Sequence, residues 1–145
     1  MNDNSRIGFE IKTITNLIKR QFDSSSVIKD LDNMTGMHGW IIGYLYNKSQ
    51  QGDVYQKDLE RQFSIRRSTA TKLLQLMEKN GLIKRLAVDF DARLKKLVLT
   101  DKAIAIHQLV EKEIDKTEAR LTKGFTQQEK DTLVELLDRI KDNMK

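Results

Sequence analysis

The stretch from Val54 to Lys102 constrains the fold most, because its hydrophobic period changes from helical to strand-like partway along. Its centre, from Ser64 to Gly81, predicts one helix of about four turns, with Ser64 as the N-cap and Gly81 ending the helix in a left-handed turn. An apolar stripe at helical spacing consists of Ala70, Leu73, Leu74 and Met77. The opposite face of this helix then presents basic and hydroxyl side chains to solvent.

A shorter helix precedes this segment and a hairpin follows it. Residues 56–63 place Leu59 and Phe63 one helical turn apart, and so short a link between two helices is typical of a helix-turn-helix. After Gly81, two β-rich runs flank the polar segment 89–93, which predicts two strands and a tip. The sequence therefore predicts a mainly α winged helix-turn-helix with a small β-hairpin wing.

Positive charge is concentrated in this unit. The whole chain has a net charge of +5, yet residues 54–102 hold 12 Lys and Arg against 6 Asp and Glu, a net +6. A basic unit between near-neutral flanks is typical of a protein that binds a polyanion. The alternative is that surface lysines only keep the protein soluble, which explains the total charge but not its placement.

The second helix of a helix-turn-helix inserts its N-terminal part into the DNA major groove. Arginine can bind guanine in a bidentate manner, and serine or threonine can contact bases or phosphates. The candidate residues on this helix are Arg66, Arg67, Ser68, Thr69, Thr71 and Lys72.

The hairpin supplies a second set of candidates. We expect Arg93 to enter a narrow minor groove, with Asp91 holding its side chain through a charge-assisted bond. Lys95 and Lys96 are placed for phosphate contacts. Alternatively, Asp91 and Arg93 form only an exposed ion pair on the hairpin surface.

Both ends of the chain carry amphipathic helices. We predict a helix over residues 6–22 and two more after Thr100, the first capped by Thr100 and the last opened by a capping box from Thr126 to Glu129. Their apolar stripes exceed what a small domain buries, and a second copy of the chain would cover both ends. A further helix from Thr35 to before Gly52 carries glycines spaced for close helix packing.

Four segments together resemble the MarR family of bacterial transcription regulators: Gln56-Lys-Asp-Leu-Glu, Arg67-Ser-Thr-Ala-Thr, Met77-Glu-Lys-Asn-Gly-Leu-Ile83, and the run from Asp89 to Lys102. The Asp-x-Arg pattern before a Leu-x-Leu-Thr strand end is the most discriminating of these. Ala103 departs from the glycine that the family often has there.

The resemblance implies one domain, in which residues 34–102 bind DNA and residues 1–33 and 103–145 form dimerisation helices. It implies a homodimeric, sequence-specific regulator of double-stranded DNA that represses transcription. A cytoplasmic location is the default expectation, because the sequence shows no membrane-length apolar run and no signal peptide. Two recognition helices in successive major grooves would then require an inverted-repeat operator. A winged-helix module that binds a protein partner instead of DNA is the alternative.

Family members commonly respond to a small-molecule effector, and a pocket pairs apolar walls with a few polar groups. The candidate lining residues here are His38, Trp40, Ile41, Tyr44 and Tyr46. These side chains are equally suited to a core. The sequence names no effector, and it leaves open whether one is needed.

No feature of the sequence supports catalysis or a resident cofactor. The chain has no cysteine, which excludes disulfides and thiolate chemistry, and it has no nucleophile elbow or phosphate-binding glycine loop. We therefore expect no enzyme, no cofactor and no metal. A zinc- or manganese-responsive variant would use His38, His107 and Glu111, although isolated histidines are more often packing residues. No membrane-length apolar run or signal peptide is visible in the sequence.

Overall fold

A computed structural model describes residues 6–24 and 36–145. In these ranges the elements are α1 (Ile7–Asp23), α2 (Gly36–Lys48), α3 (Gln56–Phe63), α4 (Arg67–Lys79), β1 (Ile83–Val88), β2 (Asp91–Leu99), α5 (Asp101–Leu121) and α6 (Gln127–Asn143). This order confirms the predicted mainly helical fold with one hairpin. The expected helix start at Thr35 lies outside the described residues. No helix in the described ranges is long and apolar enough to cross a membrane.

The hairpin is antiparallel, and its register runs from Ile83 opposite Leu99 to Ala87 opposite Lys95. The register then shifts so that Val88 lies opposite Asp91, which leaves a two-residue tip. The segment before α3 makes an isolated antiparallel bridge to β2, in which Tyr55 pairs with Lys96 and the Leu97 N–H donates to the Val54 carbonyl at 2.7 Å. Residues 54–55 are therefore joined to the hairpin by backbone hydrogen bonding.

The hydrophobic core lies where α2, α3, α4, the hairpin and the first half of α5 meet. The predicted stripe of α4 is confirmed, since Ala70, Leu74 and Met77 are buried and Leu73 packs against them half-buried. The other core side chains are Ile41, Ile42, Leu45, Val54, Leu59, Leu82, Ile83, Leu97, Ala103, Ile106 and Val110. One face of α4 is thus fixed in the core, which leaves the opposite face exposed.

Ser64 does not cap α4, so that part of the sequence prediction was wrong. It ends α3 instead, with a left-handed φ of 51°, and Arg66 is the N-cap residue of α4. The reason is the tight turn between the two helices, which requires one left-handed residue before the chain re-enters a helix. The recognition helix is shorter than predicted at its N-terminus, and Gly81 follows it at φ 72° as expected.

The two predicted caps of the C-terminal helices are confirmed. The Thr100 hydroxyl accepts from the Ala103 N–H at 3.2 Å at the start of α5. At the start of α6, the Thr126 hydroxyl accepts from the Glu129 N–H at 3.1 Å, and the Thr126 N–H donates to the Glu129 carboxylate at 2.8 Å.

Contacts divide the chain into two compact units, residues 1–114 and 115–145. In the second unit, α6 has no buried residue although it carries a stripe of leucines. Its exposed apolar side chains include Leu133, Val134, Leu136, Leu137 and Met144. In the first unit, α1 similarly exposes Ile7, Phe9, Ile11, Ile14 and Leu17. Both terminal helices therefore present apolar surface to solvent.

Close packing of α2 against α5 depends on Gly39. A Cβ atom built on Gly39 would lie 2.6 Å from Cγ1 of Val110, whereas one on Gly43 would meet nothing within 4 Å. We expect Gly39→Ala to lower the free energy of unfolding by about 1–3 kcal/mol through overpacking. Gly43→Ala should be neutral or stabilising, because glycine inside a helix costs about 1 kcal/mol relative to alanine.

Urea denaturation of both variants measures this difference. Adding Val110→Ala to Gly39→Ala should recover part of the loss, so the two changes together should cost less than their sum. Equal stability of the Gly39→Ala and Gly43→Ala proteins would contradict the packing account.

Candidate nucleic-acid interface

The turn between α3 and α4 presents the N-terminus of α4 to solvent. The Ile65 N–H donates to the Glu60 carbonyl at 3.1 Å, which closes the end of α3 before the chain turns. The buried stripe of α4 then fixes its rotation. Five of the six candidates on this helix are exposed: Arg66, Arg67, Ser68, Thr69 and Lys72.

Thr71, the sixth candidate, is half-buried and bonded to α3. Its hydroxyl oxygen accepts from the Gln56 amide nitrogen at 3.0 Å, and the same nitrogen lies 3.4 Å from the Arg67 carbonyl oxygen. Gln56 thereby joins the first turn of α3 to the first turns of α4. Sequence reasoning missed this role, because nothing in the local pattern of Gln56 reveals a partner fifteen residues away.

The structure brings Asp91 and Arg93 together at the hairpin as expected. The Asp91 carboxylate accepts from the Arg93 N–H at 2.9 Å and from its Nε at 3.4 Å. The Arg93 side chain is nevertheless 93% exposed, so the guanidinium projects into solvent while the Asp91 carboxylate holds the backbone N–H of Arg93. An exposed pair of this kind contributes little stability, on the order of 0–1 kcal/mol.

Lys95 and Lys96 lie on opposite faces of the hairpin, because successive residues of a strand alternate. Lys95 is exposed on the face turned toward α3 and α4. Lys96 is half-buried, and its Nζ lies 3.7 Å from the Asp53 carboxylate. The two lysines therefore differ in how readily they can reach a bound anion.

A cleft of about 480 Å³ lies between the two helices and the hairpin. Its lining includes five cationic side chains and a single carboxylate, that of Glu60. The cations are Lys57, Arg67, Arg85, Arg93 and Lys95. A concave surface with charges of one sign concentrates the electrostatic field and attracts counter-ions. We call this surface the basic cleft.

Arg85 was not among the sequence-predicted residues. Its Nε lies 3.9 Å from the Glu78 carboxylate, and its side chain is 24% exposed. Within the described part of the chain, Nη2 is shielded from solvent and makes no hydrogen bond. Strand alternation could have identified it, because Arg85 follows the buried Ile83 by two residues and so shares its face.

Two tyrosines next to α3 stay neutral at ordinary pH. Partial burial, and next the Asp58 carboxylate, raise the pKa of the Tyr44 phenol above its usual value of 10.0. Burial also raises the pKa of the Tyr55 phenol, with further contributions from Asp53 and Asp58. Neither ring therefore adds negative charge to the basic unit near neutral pH.

The five residues predicted for an effector pocket all lie on α2, and they contact different neighbours. Ile41 is in the core and His38 is buried. The Trp40 ring packs edge-on against Phe22 of α1 at 5.7 Å, and the Tyr44 ring packs edge-on against Phe63 of α3 at 5.8 Å.

The fifth of these residues, Tyr46, stacks on His107 of α5 with ring centroids 4.1 Å apart. His107 Nε2 also lies 3.7 Å from the Glu111 carboxylate. Across residues 6–24 and 36–145, no three His, Asp or Glu side chains are grouped so that they could hold a metal ion.

Comparisons with known proteins agree with this architecture. A family profile described as "MarR family" matches residues 32–94. A curated relative from Bacillus subtilis (strain 168), the uncharacterized HTH-type transcriptional regulator YybA, is 29% identical over 130 residues, which span 88% of this chain and 84% of the relative.

Two crystal structures show the similarity in three dimensions. The transcription regulator MarR from Oenococcus oeni PSU-1 is 34% identical, with a TM-score of 0.80 over 94% of this chain and 99% of that chain. A protein described as a MarR family transcriptional regulator from Listeria monocytogenes, crystallised with a 26mer DNA, is 25% identical. Its TM-score is 0.82, over 97% of this chain and 89% of that chain.

Proposed function

Since this chain belongs to the MarR family of transcription regulators, we propose that it binds an inverted-repeat operator in double-stranded DNA as a homodimer and represses transcription. The family consists of regulators and not of enzymes. The observation that carries the proposal is the basic cleft, where five cationic side chains from two helices and a hairpin face one carboxylate. That the Listeria relative was crystallised with DNA supports the choice of ligand.

Phosphate binding in the cleft would supply affinity. Lys57 and Lys95 are exposed point charges on its two sides. Arg85 lies deeper in the lining, and its positive charge would attract a phosphate held by the two lysines. A charged group thus placed before DNA arrives needs little reorganisation on binding.

Sequence choice would come from the exposed N-terminal turns of α4. With its apolar stripe fixed in the core, α4 directs Arg67, Ser68 and Lys72 outward, where a major groove can accept them. The hairpin would then place Arg93 in the adjacent minor groove, with Asp91 limiting the positions of its side chain.

The terminal helices support the homodimer. The leucine stripe of α6 and the apolar face of α1 are exposed in a single chain. A second copy carries the same surfaces, so a two-fold axis would bury them reciprocally. The two DNA-binding units, one from each copy, would be related by that axis and would fit two inverted half-sites about one helical turn apart.

We further propose that a small-molecule effector releases the DNA. The start of α5 is tied to the end of α4, because the Thr100 hydroxyl donates to the Gly81 carbonyl at 2.6 Å and Lys102 Nζ donates to the Asn80 carbonyl at 2.9 Å. A ligand near His38 and the Tyr46–His107 stack would act on α2 and α5 together. The bound ligand would favour a spacing between the two DNA-binding units of the dimer that fits the operator poorly.

Fluorescence anisotropy with a labelled pool of random-sequence duplex tests whether the cleft binds DNA. We expect Lys57→Ala combined with Lys95→Ala to weaken binding strongly and to flatten its salt dependence, because each lost phosphate contact lowers the salt slope by about 1. The matched control is Lys141→Ala with Lys145→Ala, which removes the same charge from the end of α6.

The control pair should bind as the unmodified protein does. Equal weakening by both pairs would show that only net charge matters, and no binding at low salt would contradict the proposed function.

A further inference from the structure

The tip of the hairpin carries an exposed aromatic ring that the fold does not use. Phe90 is 73% exposed, and it occupies the two-residue tip between Val88 and Asp91. Turns favour Gly, Pro, Asn, Asp and Ser for specific backbone reasons, and none of those reasons applies to phenylalanine. Neither the turn nor the core therefore explains a phenyl ring at this position.

The surroundings of Phe90 indicate what would cover it. Arg93 projects from the same end of the hairpin with its side chain 93% exposed, and Lys95 follows on the face of the basic cleft. Asp89 and Asp91 flank the ring in sequence, and Asp91 is paired with Arg93, whose guanidinium stays exposed. A ring at the same end of the hairpin as an exposed guanidinium fits an anionic ligand that also offers apolar surface. The DNA minor groove does so, because its walls are deoxyribose rings and its rims are phosphates.

We infer that Phe90 packs against the deoxyribose wall of the minor groove that Arg93 enters. This inference rests on the proposed DNA-binding function and adds an apolar contact to its electrostatic ones. Other minor-groove proteins also contact the duplex with apolar side chains, which they insert between base steps. The contact releases no counter-ion, so its contribution to affinity is independent of salt concentration, in contrast to that of a lysine bound to phosphate.

The salt dependence of binding separates the two kinds of contact. With a labelled duplex selected by the protein itself, we expect Phe90→Ala to weaken binding about tenfold at every salt concentration, leaving the slope of log K against log salt unchanged. Lys95→Ala should instead reduce that slope by about 1 per lost phosphate contact. Phe90→Leu, which keeps an apolar side chain, should recover most of the affinity.

Leu86→Ala is the matched control. Leu86 is another exposed apolar residue of the hairpin, 42% exposed, but it lies along β1 opposite Lys96 and away from the tip. The Leu86→Ala protein should bind DNA with the affinity of the unmodified protein.

Three results would overturn the inference: unchanged affinity of Phe90→Ala, a change in its salt slope, or loss of the oligomer in sedimentation, which would place the ring against another copy of the chain. Failure of the unmodified protein to bind any duplex would instead overturn the proposed function itself.

Discussion

Replacing Leu133 and Leu137 with aspartate is expected to produce a monomer and to weaken operator binding by about 10²–10⁴-fold. Both leucines are about two-fifths exposed on α6, a helix with no buried residue of its own. If a second copy of the chain covers this stripe, burying two carboxylates there would cost far more free energy than the contact between the copies contributes. The loss of affinity follows because two linked half-site contacts become two separate ones.

Analytical ultracentrifugation measures the first effect, since one chain has a mass of 16.9 kDa and a dimer would have twice that mass. Gln128→Asp with Thr132→Asp is the control, because it adds the same charge to exposed positions on another face of α6. The control should stay dimeric. A dimer that persists in the Leu133 and Leu137 variant would place the interface elsewhere.

Arg67→Ala is expected to cost about 1–3 kcal/mol at each half-site and to relax sequence preference at one base pair in each. Arg67 is the first residue of α4, is exposed, and lines the basic cleft. Its main chain is fixed near α3 through Gln56, so its side chain starts from a defined position. That rigidity favours a base contact with defined geometry.

Binding to a panel of operators that differ by single base pairs measures this effect. Lys79→Ala removes one charge from the last turn of the same helix and should leave the pattern of preferences intact. If Arg67→Ala weakened binding to every operator equally, Arg67 would be a phosphate contact, and the base would have to be read by another residue of α4.

The helices and the hairpin were predictable because their signals are local. The stripe from Ala70 to Met77, the left-handed Gly81 and the capping box at Thr126 each involve residues within about two turns of one another. Such patterns fix an element before any tertiary contact forms. Ser64 misled the prediction because a serine before a helix fits an N-cap and a turn equally well.

The basic cleft was only partly predictable, because it joins residues distant in sequence. Gln56 reaches Thr71 and Arg85 reaches Glu78 of α4, so neither partner is visible in the local pattern, although strand alternation gives the face on which Arg85 lies. Periodicity identified which residues of α4 face outward. The depth of the cleft and the position of Arg85 depend on how the hairpin packs, and this is a tertiary property.

The prediction of an effector pocket was limited for the same reason, because a pocket also depends on tertiary contacts. Aromatic residues on α2 suggest either a pocket or a core, and their neighbours decide which. In the structure Trp40 contacts α1, Tyr44 contacts α3 and Tyr46 contacts α5. The Tyr46–His107 stack, with the buried His38, remains the part of our proposed effector site where α2 and α5 both contribute.

Selection of bound fragments from a random duplex library by the purified protein tests the central claim most directly. The account predicts that the recovered sequences share an inverted repeat, with half-sites about one helical turn apart and weaker preferences flanking each half where Arg93 would enter the minor groove. Recovered fragments without a common motif would contradict sequence-specific binding, and would favour a winged-helix module whose partner is a protein.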